Sequence, residues 1–136
     1  MRSPDEVKQE LVRQWVAKAE SDFGLAQRLV SESSPYLDAI GFHAQQAAEK
    51  YLKALLVQHQ IEFPKTHNLG GLLDLVSAID ASLATSLRDV TALTPYGVDV
   101  RYPGDVPEMT AEVAAQTLAL AAKVRDAVRR VLKGSV

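Results

Sequence analysis

Cysteine is absent from the 136-residue chain, which excludes disulfide bonds, thiolate zinc sites and cysteine nucleophiles. An excess of one charge is also lacking, because 15 lysines and arginines nearly balance 17 aspartates and glutamates. A net charge of −2 gives no overall attraction to nucleic acid, so nucleic-acid binding would require a local basic patch. Apolar residue types make up 47% of the chain, which excludes extended disorder.

Long hydrophobic runs are missing as well. No stretch approaches the roughly eighteen apolar residues of a membrane span. Residues 1–10 are polar and mixed in charge, unlike a signal peptide. We therefore expect a cytoplasmic protein with no membrane association. The length suits one domain, and we expect residues 1–136 to form it.

Helical spacing of apolar residues dominates the chain. It predicts a first helix from Ser3-Pro4 to about Ser31, with Leu11, Trp15, Leu25 and Leu29 on one face and Ala19 and Ala26 beside them. Further helices are predicted over about 38–60, over 69–79, from Asp80 or Ser82 through Leu93, and over 110–133. Residues 94–107 contain three prolines and two glycines and are predicted to form a loop or a broken segment. No alternation is long enough for a sheet, so we expect an all-α, antiparallel up-and-down bundle of four main helices plus short helices.

Common enzyme signatures are also missing. Neither the dinucleotide-binding glycine fingerprint nor the phosphate-loop motif occurs. The three histidines, His43, His59 and His67, have no second ligand at metal-binding spacing on the same helix face. We therefore expect neither a metal site nor a cofactor.

A polar face of the second helix is the first candidate site. Gln46, Glu49, Lys50 and Lys53 follow one another at i, i+3, i+4 and i+7. Gln46, Glu49 and Lys53 would bind an anionic or base-like ligand if they project into a groove between helices. The alternative is a tightly packed core helix with a solvated opposite face.

Three other polar segments allow both a functional and a structural interpretation. In residues 65–68, Lys65 and His67 could assist phosphate binding at a helix start, or the segment only caps that helix. Arg101 and Tyr102 could pair with phosphate and stack on a base, or they anchor the loop. The basic end of the last helix complements its dipole and is expected to be a solvated face; its cations are Lys123, Arg125, Arg129, Arg130 and Lys133.

Four motifs in this order resemble the HEPN family, the higher eukaryote and prokaryote nucleotide-binding domains. They are Trp15…Ala19…Asp22, FHAQQAAEKYLKALL at 42–56, Thr66-His67-Asn68-Leu69 and Arg101-Tyr102-Pro103. The resemblance is to the small stand-alone prokaryotic branch and covers nearly the whole chain. It implies a homodimeric helical bundle that acts beside a small nucleotidyltransferase, often in a toxin–antitoxin pair.

Many HEPN proteins are metal-independent ribonucleases with an arginine followed four to six residues later by histidine. No arginine of this chain has such a partner, and no histidine occurs after His67. Acid–base cleavage of RNA requires a group that transfers a proton near neutral pH, which arginine does poorly. A ribonuclease would therefore need Arg101 together with His43 or His67.

The leading hypothesis is a non-catalytic or weakly catalytic nucleotide-binding or interaction module. Its candidate ligand-binding residues are Gln46, Glu49, Lys53, His67, Arg101 and Tyr102, with no catalytic residue and no metal ligand assigned. Asp22 is expected to form a structural ion pair with Lys53 or Arg101. A ribonuclease toxin that uses Arg101 with a non-standard histidine, and a purely structural interaction module, stay open as alternatives.

Overall fold

The computed structural model describes residues 2–97, 104 and 108–134. Within these residues the chain forms helices and no strand, which confirms the predicted all-α class. The elements are α1 Pro4–Ser31, α2 Leu37–Gln58, α3 Leu69–Val76, α4 Ala81–Ser86, a 3-10 helix Arg88–Gly97 and α5 Ala111–Gly134. Three helices are long, and the short elements between α2 and α5 take the place of a fourth. None of the helices described is long and apolar enough to cross a membrane.

Side-chain caps fix the helix starts. The Ser3 hydroxyl accepts a hydrogen bond from the backbone N–H of Glu6 at 3.1 Å, and Pro4 occupies the first helical position, as predicted. Asn68 caps α3 by accepting from the N–H of Gly71. Of the two candidate caps for α4, Asp80 is the one that accepts a hydrogen bond, from the N–H of Leu83.

The segment after Asp80 differs from its prediction. The single helix expected through Leu93 is divided at Leu87, where α4 ends and the 3-10 helix follows. The 3-10 helix continues to Gly97, so residues 94–97 are helical rather than part of a loop. Most of the remaining predicted loop lies outside the described residues.

Helix α2 lies at the centre of the bundle, against α1, α3, α5 and the 3-10 helix. Its small residues Ala44, Ala47 and Ala48 are fully buried and let neighbouring helices approach closely. Its large apolar residues are also buried, among them Leu52, Leu55 and Leu56. A helix apolar on this many sides is typical of a core element.

The buried face of α1 agrees with the predicted one only in part. The flanking Ala19 and Ala26 are fully buried, as predicted, but Leu11 and Leu25 are 44% and 42% exposed. Val12 and Phe23 complete the core of the helix. Ala19 and Phe23 share one buried cluster with the alanines of α2, so this narrower face turns inward. The other face of α1, with Leu11, borders a groove at the seam with α2.

Candidate polar site between α1, α2 and the 61–68 connector

Glu49 is the centre of a buried hydrogen-bonded cluster on α2. Its side chain is 4% exposed, and each carboxylate oxygen has a partner. Oε1 accepts from the Gln45 amide at 3.2 Å and lies 2.7 Å from Nδ1 of His67. Oε2 accepts from Nζ of Lys53 at 3.0 Å. A buried carboxylate is stabilised when it has this many partners, because each hydrogen bond replaces lost hydration.

Lys53 is held away from solvent by this cluster. Its side chain is 8% exposed, and its ammonium lies 5.5 Å from the centroid of Trp15 and 5.6 Å from that of Phe63. The two rings meet edge to face at 6.2 Å. Cation–π attraction and the Glu49 pair together keep the charge of Lys53 inside the protein.

The cluster joins α2 to the connector that precedes α3. The Gln45 amide also donates to the backbone carbonyl of His67 at 3.1 Å, and Gln46 donates to the side-chain oxygen of Gln45 at 2.8 Å. His67 itself is 67% exposed in its side chain. The imidazole is therefore anchored at one nitrogen by Glu49 and open to solvent elsewhere.

The structure brings together four of the six predicted site residues, Gln46, Glu49, Lys53 and His67. Of these four residues, only His67 is largely exposed. Glu49 and Lys53 are buried, and Gln46 is partly buried. Arg101 and Tyr102 lie outside the described residues. Gly97, four residues before Arg101 in the sequence, packs directly on Gln45.

A second polar cluster corrects the expected ion pair of Asp22. Asp22 does not pair with Lys53; its two oxygens contact Lys50 Nζ at 2.6 Å and His43 Nδ1 at 2.8 Å. His43 and Lys50 are the α2 residues that meet Asp22 across the seam with α1. Sequence spacing places these residues on faces, but the stagger of the two helices decides which cation Asp22 meets.

A cavity of about 410 Å³ opens beside the Glu49 cluster, between α1 and α2. Its lining residues are Leu11, Gln14, Trp15, Lys18, Glu49 and Lys50. Lys18 makes no ion pair with any described residue, whereas Lys50 is held by Asp22. Of the predicted site residues that the structure describes, only Glu49 lines this cavity.

Sequence reasoning missed Gln45, Lys18 and the role of Trp15 at this site. Gln45 is fully buried, although its type and its place beside Gln46 favoured the polar face. The signal that was available is the i, i+4 spacing of Gln45 with Glu49. Lys18 follows Trp15 at i+3, and that spacing on the exposed side of α1 also points to a shared site.

A third polar group lies where α1, α2 and α5 meet. Arg125 binds Glu20 at 3.2 Å and lies over the ring of Phe23. The hydroxyl of Tyr51 is buried there and has no hydrogen-bond partner among the described residues. Burial raises the pKa of Tyr51 above its ordinary value, and the nearby Glu20 carboxylate raises it further.

In the part of the chain that the structure describes, no group of three or more histidine, aspartate or glutamate side chains is arranged to hold a metal ion. The clusters instead pair each carboxylate with lysine, arginine or histidine. These are arrangements for positioning side chains and for contacting polar ligands.

The architecture defines a class: an all-α bundle whose central helix carries a buried Gln–Glu–Lys cluster. Residues 12–131 match the family model for the HEPN domain. This match spans most of the chain, and the protein belongs to the HEPN family.

A solved structure has a similar fold. The crystal structure of TT1696 from Thermus thermophilus superimposes with a TM-score of 0.69 at 27% sequence identity. The similarity covers 88% of this chain and 96% of that one. No curated protein matches the sequence.

Proposed function

We propose that this HEPN-family chain is a binding module that holds a nucleotide in the α1/α2 cavity. The observation that carries the proposal is the set of three groups that line the cavity of about 410 Å³. They are the indole of Trp15, the ammonium of Lys18, which forms no ion pair with a described residue, and the fixed carboxylate of Glu49. Sites for small ligands commonly enclose about 300–1,000 Å³ and combine apolar walls with a few placed polar groups.

Each lining residue has a distinct part in the proposed binding. Trp15 offers an aromatic surface for a base, and Lys18 offers a cation for phosphate. Lys53 is too enclosed for the phosphate contact expected of it from sequence; its charge holds Glu49 and Trp15 in place. Gln46 and His67 border the same cluster and would contact ligand groups that extend beyond the cavity.

Calorimetric titration with ATP and with adenosine tests this proposal. We expect ATP to bind, and Lys18→Ala to weaken ATP about tenfold while adenosine binding changes little, because adenosine has no phosphate. Lys133→Ala removes a similar exposed lysine at the end of α5, outside the cavity, and serves as the matched control. No heat at millimolar ligand, or equal effects of both variants, would refute nucleotide binding and favour the interaction-only alternative.

A second candidate, a metal-independent ribonuclease, is favoured by the pair of Glu49 and His67. A buried carboxylate at one imidazole nitrogen orients the ring and leaves Nε2 to exchange protons. In the proposed step, Nε2 accepts the proton of a ribose 2′-hydroxyl as its oxygen bonds to phosphorus. The bond to the 5′-oxygen breaks, and this oxygen takes a proton from water. Arg101 is the proposed cation for the phosphate.

Incubation with single-stranded RNA tests the ribonuclease proposal. Cleavage is expected to be lost in His67→Ala and in Arg101→Ala but kept in His43→Ala, whose imidazole is bound to Asp22 instead. Intact RNA with the unmodified protein would leave the non-catalytic module as the function.

The partners proposed for the chain are a second copy of itself and a small nucleotidyltransferase protein, in a toxin–antitoxin-like pair. Family membership supports the dimer, since HEPN domains often form dimers, and the nucleotidyltransferase pairing rests on the sequence resemblance. Light scattering at tens of micromolar should give twice the single-chain mass of 14.8 kDa. A single-chain mass would contradict the dimer, and failure to co-purify with a nucleotidyltransferase encoded beside it would contradict that pairing.

A further inference from the structure

A second groove runs between α1 and the end of α5. It consists of two adjoining cavities of about 730 and 570 Å³ that share Val16, Leu132 and Lys133. We call it the α1/α5 groove. On α1, its residues Val12, Val16 and Ala17 lie on the side opposite Trp15 and Lys18. The groove is therefore separate from the proposed nucleotide cavity, and its role does not depend on nucleotide binding.

The floor of the α1/α5 groove is aliphatic. Val12, Val16, Ala17 and Leu132 contribute to it, and Gln9 and Gln58 meet at one end with their amides 3.5 Å apart. None of the residues that line the two cavities is aromatic. The groove can therefore take up aliphatic side chains, but it offers no ring on which a base would stack.

The rim of the groove is basic, with Arg13, Arg129, Arg130 and Lys133 against the single acid Asp126. Two of the arginines are partly neutralised, because Arg13 binds Glu10 at 2.6 Å and Arg129 lies 3.6 Å from Glu20.

Two further cations of the rim form no ion pair with the described residues. Arg130 donates only to a backbone carbonyl of its own helix, and Lys133 forms no ion pair with the described residues. Arg130 and Lys133, which form no ion pair with the described residues, lie beside an aliphatic floor. This combination distinguishes this end of α5 from an ordinary solvated helix face.

We propose that the α1/α5 groove binds an acidic amphipathic helix of a partner protein. Leucine or valine side chains of that helix would fill the floor, and its glutamates or aspartates would pair with Arg130 and Lys133. Helix-in-groove recognition uses this combination of apolar anchors at i, i+3 or i+4 and i+7 with polar flanks. Nucleic acid would satisfy the cations but would leave the aliphatic floor without a matching surface.

Fluorescence anisotropy with a labelled helical peptide tests this inference. The probe carries leucines at i, i+3 and i+7 flanked by glutamates; a scrambled peptide of the same composition and an RNA oligonucleotide are the comparison probes. We expect saturable binding of the first peptide only, weakened by added salt because exposed charges are screened. Arg130→Glu should weaken it about tenfold.

The matched control is Lys65→Glu, which changes the net charge equally but lies outside the groove, and its affinity should stay within about twofold of the unmodified protein. Arg130 is exposed, so both variants are expected to keep the helical content seen by circular dichroism. Four results would overturn the proposal. They are no saturation at millimolar peptide, equal binding of the scrambled peptide, no effect of Arg130→Glu, or preferential binding of the RNA.

Discussion

Among single residues, Glu49 is the one whose loss would disturb most of the polar cluster. Glu49→Gln keeps the shape of the side chain but leaves the ammonium of Lys53 buried without a counter-charge. We expect a loss of about 3 kcal/mol in the free energy of unfolding, the usual cost of breaking a buried ion pair. Urea denaturation followed by circular dichroism measures this loss.

Two variants separate the buried charge from a general effect of losing a carboxylate. Glu10→Gln removes an exposed carboxylate that binds Arg13 and should leave stability unchanged. Glu49→Gln combined with Lys53→Met removes both buried charges and should recover most of the loss. If the double variant is no more stable than Glu49→Gln alone, the charge of Lys53 is not the cause.

The burial of Tyr51 predicts that the free energy of unfolding depends on pH in alkaline solution. Burial raises its pKa in the folded state above the ordinary value of about 10. The stabilisation from the neutral hydroxyl is then complete below pH about 10 and is lost as the pH rises further, when the unfolded chain ionises first. Tyr51→Phe should lower this alkaline loss in urea midpoints measured from pH 9 to pH 11.

The control for Tyr51→Phe is Tyr36→Phe, because the Tyr36 side chain is 70% exposed. This variant should keep the alkaline loss of the unmodified protein. At pH 7, Tyr51→Phe should retain or gain stability, since the buried hydroxyl has no hydrogen bond with the described residues. A large loss at pH 7 would mean that the hydroxyl has a partner.

Between elements, the 3-10 helix packs on α2 so closely at Gly97 that no side chain fits there. A Cβ at Gly97 would lie about 2.5 Å from the side chain of Gln45. Gln45 cannot easily move, because it is bonded to Glu49, Gln46 and the carbonyl of His67. Gly97→Ala should therefore destabilise the protein by about 1–3 kcal/mol, measured by thermal or urea unfolding.

Gly24→Ala is the matched control, because it makes the same substitution at a glycine of another helix. Gly24 lies inside α1 and a Cβ there would meet nothing within 4 Å. Alanine reduces the entropy that the unfolded chain loses on folding, so this variant should gain about 0.5–1 kcal/mol. Equal effects at both glycines would show that close packing on Gln45 is not what requires Gly97.

The elements themselves were largely predictable, and their orientation was not. Periodicity and caps placed α1, α2, α3 and α5 close to their observed bounds. The rotation of α1 was predicted only in part, because apolar residues occur on two of its faces and only packing selects one. The face with Val12, Ala19 and Phe23 turns inward since its small residues fit the alanines of α2.

For the whole molecule, the central position of α2 predicts cooperative unfolding. Its contacts with α1, α3, α5 and the 3-10 helix tie every described helix except α4 directly to it. We expect the fluorescence of the single tryptophan, Trp15, and far-ultraviolet circular dichroism to give the same urea midpoint. Two separate transitions would contradict the prediction that residues 1–136 form one domain.

The sequence by itself determined the all-α class, the helix start at Ser3, and the common face of Gln46, Glu49 and Lys53. These follow from local spacing and capping, which depend on neighbours along the chain. Tertiary structure decided that Glu49 and Lys53 are buried, that Asp22 meets Lys50, and that Lys18 lies at a cavity without an ion pair to any described residue. Burial and pairing depend on the stagger and rotation of one helix against another, and residues distant in sequence set these.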